Sequence, residues 1–148
     1  MALITLDFET PYESKKVAGA NRPAFSLRTL TYEEYIFNEL FCVMGVSYQI
    51  DDGNPVWVRH DGNSDQPIRD ALTKIFTPGN THILLCHNAM FDSAILCWYF
   101  GLRASRYWCT QAMSNALWSQ GKSSLEALST RLFPDDKTKR KGKELADF

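Results

Sequence analysis

Two carboxylates close the first apolar run of the chain: Asp7 and Glu9 stand two residues apart at the end of ALITLDFE, residues 2–9. Strand side chains alternate with a period of two, so an extended run puts Asp7 and Glu9 on one face and Leu6 and Phe8 on the other. Like charges held that close raise each other's pKa unless a cation neutralises them. A divalent metal does so, and hard carboxylate oxygens suit Mg²⁺ or Mn²⁺. The same pair also fits an exposed strand end with two solvated acids. A third acid comes later, in His87-Asn88-Ala89-Met90-Phe91-Asp92, directly after the apolar segment HILLC. Asn88 suits a helix N-cap. Asp92 then sits one turn into that helix, where a negative charge is favourable. Alone, neither needs a further role. If the strand before Asn88 lies beside the strand that carries Asp7, however, Asp92 faces Asp7.

The elements that must position these residues follow from hydrophobic period and turn chemistry. Residues 2–9 read as a strand, and 41–50 and 55–60 as two more, joined into a hairpin by Asp51-Asp52-Gly53-Asn54. Residues 82–87 form a buried-type strand and 106–109 a short fifth one. Helices are expected within 31–40, capped by Thr31; over 67–76, capped by Ser64 or Asp65; over 89–100, ended by Gly101; and over about 111–119 and 123–132. Phe91, Ile95 and Trp98 make an apolar stripe at helical spacing, which assigns Phe91 to the core. Between the first strand and the first helix lies an irregular stretch with turn formers at Pro11, Gly19, Asn21 and Pro23. This order predicts an α/β fold, a mixed sheet of about five strands flanked by helices, with strands 2–9, 82–87 and 106–109 parallel. Ligands bind at the carboxyl ends of such strands, where Asp7, Glu9 and Asn88 stand.

Composition bounds the alternatives. The 148 residues are 45% hydrophobic and 13% aromatic, enough for one core. We expect one domain over 1–136 and a mobile basic tail over 137–148, where five lysines and arginines meet two acids. The net charge of −1 does not by itself announce a nucleic-acid binder, although the tail suits contact with a phosphate backbone. No apolar run approaches the ~18 residues of a membrane span, and no signal peptide opens the chain. Cys42, Cys86, Cys97 and Cys109 form no CxxC pair, so a cytoplasmic protein with reduced thiols is expected. The spacing of His60, His82, His87 and Cys86 fits no usual zinc pattern. Trp57, Trp98, Trp108 and Trp118 are assigned to the core, and Tyr12 or Phe25 is available to stack on an unpaired base.

LDFET at 6–10 and HNAMFD at 87–92 together resemble the first two motifs of the DEDD 3′–5′ exonuclease superfamily, whose fold is ribonuclease-H-like. The nearest likeness is to the N-terminal proofreading domain of phage family A DNA polymerases. Residues 31–50 and 108–117 resemble segments of the same domain. The resemblance implies hydrolysis of the 3′-terminal phosphodiester of DNA, single-stranded or frayed, by two Mg²⁺ or Mn²⁺ ions about 3.5–4 Å apart. It implies that Asp7 bridges both ions, that Glu9 holds the first and meets the terminal 3′ hydroxyl, and that Asp92 holds the second through water. Asn88 would contact substrate near the scissile phosphate, with Thr10 a further substrate contact. The implied partners are the DNA 3′ end and a polymerase domain of the same protein.

One departure accompanies the match. The family's third motif, Tyr-x-x-x-Asp or His-x-x-x-x-Asp, brings a fourth carboxylate and a water-orienting side chain, and no such motif follows position 92. We therefore expect a domain cut off before that motif, with little activity of its own. A naturally short chain, or a DEDD-like scaffold that binds DNA or a partner without catalysis, accounts for the same pattern.

Overall fold

The computed structural model describes residues 1–13, 22–119 and 121–136. The basic tail over 137–148, and Gly19 and Asn21 among the expected turn formers, lie outside the described residues. Five strands form one mixed sheet: β1 (Leu3–Glu9), β2 (Gly45–Ile50), β3 (Val56–Arg59), β4 (Ile83–Cys86) and β5 (Arg106–Cys109), in the order β3-β2-β1-β4-β5. β1 is central. It pairs antiparallel with β2, from Ile4 opposite Ile50 to Glu9 opposite Gly45, and parallel with β4, from Leu3 opposite Ile83 to Thr5 opposite Leu85. β2 and β3 form the expected antiparallel hairpin, and β5 continues the parallel set beyond β4. No helix among the described residues is long and apolar enough to cross a membrane.

The alternation of β1 decides which face holds the core. Ile4, Leu6 and Phe8 are buried, while Thr5 and Asp7 on the opposite face are exposed. Helix α2 (Gln66–Ile75) lays Ile68, Leu72 and Ile75 into the same core cluster. The Ser64 hydroxyl accepts the Gln66 N–H, whereas Asp65, the cap position, sends its carboxylate to Arg69 at 3.3 Å. Phe100 stacks on Phe8 with ring centroids 5.7 Å apart. Helices α4 (Thr110–Leu117) and α5 (Leu125–Leu132) follow β5, close to the expected spans.

Three elements depart from their expected bounds. The strand expected over 41–50 is regular only from Gly45, with Met44 just before it bonding Glu9 and His60 through its backbone, while Phe41 and Val43 are buried in the core ahead of it. Helix α1 spans only Tyr32–Ile36. Its capping box at Thr31 and Glu34 starts it as expected, but Asn38 then accepts the Leu40 N–H at 3.0 Å and turns the chain. The helix expected over 89–100 is α-helical only as α3 (Ala89–Ala94) and continues as a π turn over Ile95–Tyr99, where the Phe100 N–H reaches back five residues to the Ile95 carbonyl. The wider turn takes one residue out of the α-helical pitch. Ile95 and Leu96 remain buried, and Trp98 rotates outward to 50% exposure.

The assignment of the tryptophans to the core is corrected for three of the four. Trp57 and Trp108 are also exposed, since β3 and β5 are the two edges of the sheet. Trp118 is half-buried beneath the Arg131 guanidinium. Phe25 is buried and stacked on Tyr35, with centroids 4.4 Å apart, so its ring is not free to receive a base. Tyr35 also ties α1 to the end of β1: its hydroxyl bonds Thr10 Oγ1 at 2.9 Å and the Pro11 carbonyl. Removing that hydroxyl leaves a half-buried carbonyl and Thr10 Oγ1 without this partner. Tyr35→Phe is therefore expected to lower stability by about 1–3 kcal/mol, read from the midpoint of urea unfolding with an unchanged m-value.

Candidate active site

The parallel ladder between β1 and β4 ends early, because β4 stops at Cys86 while β1 runs on to Glu9. Past that point the β4 side of β1 needs another acceptor. Asp92 supplies it: Oδ1 accepts the Phe8 N–H at 3.2 Å. The carboxylate arrives there because α3 opens at Ala89, three residues beyond the strand, and Asp92 lies in its first turn. Asp92 is only 3% exposed. Burial, then the charge of Asp7, push its carboxyl up to about 7; the Phe8 N–H and the neighbouring Cys86 thiol act in the other direction. Burial likewise pushes the Cys86 thiol up, with the charges of Asp92 and Asp7 adding to it.

The carboxyl ends of two adjacent parallel strands thus bring Asp7 and Asp92 together. Glu9 stands half-buried at the last position of β1. Among the described residues no group of three His, Cys, Asp or Glu side chains is gathered closely enough to hold a metal ion, so Glu9 does not close a ligand cluster with the two aspartates. The donors nevertheless fit a hard divalent ion in kind. They are carboxylate oxygens, and one is held above its usual range by burial and a like charge, a condition that a cation relieves. Magnesium commonly takes only one or two protein carboxylates and keeps several waters.

Asn88 occupies the N-cap position but does not cap with its side chain. Its backbone is left-handed, φ 98° and ψ 56°, a conformation that asparagine tolerates better than most residues. The side chain is thereby turned to the Tyr32 hydroxyl, with Oδ1 at 3.4 Å and Nδ2 at 3.3 Å. Thr10, held by Tyr35, lines a cleft of about 360 Å³ with Tyr12, Leu27, Arg28 and Phe91. Phe91 packs against Tyr32 and Tyr35 and lines this cleft as well, so it serves both core and surface.

Three residues at this end of the sheet were not singled out from the sequence for the places they take. Tyr32 reads as an ordinary helix position, yet it holds Asn88 from 56 residues away. Arg28 lies in irregular chain that carries no periodic signal. His87 places Nδ1 2.9 Å from Thr110 Oγ1, while its Nε2 is buried with no hydrogen-bond partner among the described residues. The other histidines are engaged locally: His82 Nδ1 accepts the Ala2 N–H and His60 Nδ1 the Gly62 N–H.

No protein-family model matches the chain, and no curated relative matches it either. Solved structures do. NrnC of Brucella melitensis superposes with a TM-score of 0.61 at 16% identity, covering 95% of this chain and 56% of that one. The same protein with bound Mg²⁺ gives a TM-score of 0.60 at 16% identity over 89% of this chain and 53% of that one. Bound to pGG, it gives 0.60 at 16% identity over 95% and 56%. This chain therefore spans about half the length of the structures it matches. At that identity the likeness is one of architecture: the fold is α/β and ribonuclease-H-like, a five-stranded mixed sheet flanked by helices.

Proposed function

We propose that the chain is a metal-dependent nuclease domain acting on the 3′ end of single-stranded or frayed DNA. The observation that carries this reading is the Asp92 carboxylate, anchored on the Phe8 N–H beside Asp7 where two parallel strands end. Mg²⁺ or Mn²⁺, two ions in a complete site, would be held by Asp7 and Asp92, with Glu9 swinging in from the end of the same strand to join them, and would supply an acidified water and a stabilised leaving oxygen. The chain's own part is to fix the donors. The Phe8 N–H orients Asp92, burial excludes water from it, and the strand pleat sets the direction of Asp7. Asn88 and Thr10 are the substrate contacts in this reading, each braced by a tyrosine hydroxyl. The Mg²⁺ and pGG present in the NrnC structures are compatible with it. A proofreading role, in the cytoplasm of an infected cell and within a phage polymerase, rests on the sequence resemblance, carried mostly by LDFET and HNAMFD and also by residues 31–50 and 108–117. A second reading, a non-catalytic DEDD-like module that binds DNA or a partner, is favoured by the lack of a gathered group of three ligands among the described residues.

Metal and turnover separate the two readings. Calorimetric titration with Mn²⁺ is expected to find one weak site in the wild type and none in Asp7→Ala; equal binding by both rejects the nuclease reading. Release of nucleotides from 3′-labelled single-stranded DNA in Mn²⁺ is expected to be slow. It should fall by a further 10²-fold or more in Asp7→Ala, on the order of a lost catalytic group.

Asp92 also makes stability depend on pH. Its folded-state pKa of about 7 lies above the ordinary 3.8, so the folded state binds the proton more tightly. That contribution is fully present below the ordinary value and is lost as pH rises through about 7. At about 1.4 kcal/mol per pKa unit the loss is at most about 4 kcal/mol. Without metal, urea unfolding at pH 5 and pH 8 should show about 3 kcal/mol of this loss in the wild type, since about two of the pKa units lie between those pH values, and a much flatter profile in Asp92→Asn. Adding Mn²⁺ at pH 8 should restore stability to the wild type only.

Asn88 separates backbone from side-chain requirements. Asn88→Gly keeps the left-handed conformation and should melt close to the wild type, while weakening oligonucleotide binding. Asn88→Val should lose stability as well, by about 1–3 kcal/mol, seen in the same unfolding curves.

A further inference from the structure

The first turn of α3 separates two clefts. One is the cleft beside Thr10. The other, about 490 Å³, follows the outer face of α3 and its π turn, where Met90 and Cys97 meet Trp98, Arg103, Tyr107 and, at one end, Tyr32. Its rings present their surfaces to solvent: Trp98 is 50% exposed and Tyr107 40%. Both are braced. Phe37 stacks on Trp98 at 6.1 Å and 17°. The Tyr107 hydroxyl accepts the Ala104 N–H at 3.1 Å and lies 3.5 Å from Cys97 Sγ. Arg103 supplies a positive charge, and none of the described lining residues is acidic. The groove adjoins the candidate site through one residue: Tyr32, which also lines the groove, bonds the Asn88 side chain.

We propose that this groove binds single-stranded nucleic acid upstream of the terminal nucleotide, with bases on Trp98 and Tyr107 and a backbone phosphate on Arg103. The proposal rests on the nuclease reading of the neighbouring site and extends it to the substrate's length: strands of several nucleotides gain contacts that a dinucleotide does not reach. Braced, exposed rings are suited to this, since every base has a face to stack and little ordering cost remains. A protein surface would also cover the rings, but it would not require a cation in a groove without acids, nor a lining tyrosine that bonds the Asn88 side chain.

The test measures fluorescence anisotropy of 5′-labelled, phosphorothioate-linked DNA, a dinucleotide and an octanucleotide, with the wild type, Trp98→Ala, Trp98→Phe and Arg103→Gln in Mg²⁺. Trp98→Ala and Arg103→Gln should each weaken octanucleotide binding by about tenfold and leave dinucleotide binding within about twofold. Trp98→Phe should restore most of the loss. Arg103→Gln should also reduce the slope of log affinity against log salt by about 0.7. Full octanucleotide binding by Trp98→Ala, or equal losses for both lengths, overturns the groove and leaves the nuclease reading standing. If Trp98→Ala instead abolishes self-association of the wild type in sedimentation while octanucleotide binding persists, the groove belongs to a second copy. Binding of neither oligonucleotide by the wild type, with Mn²⁺ binding insensitive to Asp7→Ala, removes both readings.

Discussion

The hydrogen bond from the Phe8 N–H to Asp92 holds the rest of the site in place. A strand that outruns its neighbour leaves backbone donors that must be satisfied or wetted. Here the solution is an ionisable side chain, so the device that ends the β1–β4 ladder also installs a carboxylate beside Asp7. Architecture and chemistry share one contact. The cost is a buried acid facing a like charge, a cost that a divalent ion offsets and a protonated carboxyl avoids.

Around this contact the chain builds in two directions. On the core side, Leu6 and Phe8 lock β1 against the packed helices, with Phe100 stacked on Phe8. Toward α1, tyrosine hydroxyls do the positioning: Tyr35 reaches Thr10, and Tyr32 reaches Asn88. Both tyrosines belong to a helix of five residues, too short to stand alone and held by a capping box and by its rings. Positions on β1 and α3 therefore depend on a segment that looks unremarkable by itself.

Much of this was legible in the residues. The period-two alternation of LITLDFE sets the faces of β1, and Asp51-Asp52-Gly53-Asn54 marks the hairpin. The order of apolar segments yields the parallel set, and the position of Asp92 relative to HILLC predicts its approach to Asp7. Other features carry no local signal. The π turn in ILCWY, closed by the Phe100 N–H on the Ile95 carbonyl, leaves no mark in the spacing of apolar residues. Exposure of Trp57 and Trp108 follows from their lying on edge strands, a property of sheet order rather than of residue type. The left-handed backbone at Asn88 hides behind a residue that is equally at home as an ordinary cap.

The π turn has a consequence for how such a domain diversifies. Upstream of Ile95 the α-helical pitch is tied to the carboxylate end of the sheet, and any change of register there would carry Asp92 away from β1. Downstream the turn already carries one residue more than α-helical pitch needs, so a single-residue deletion within Ile95–Tyr99 would return it to that pitch while leaving the first turn of α3 in place. The helix thus contains a boundary between a half whose register the acids fix and a half that can absorb a change of length. Lineages that lose or gain one residue at that boundary would change the surface offered by Trp98 without disturbing the acids.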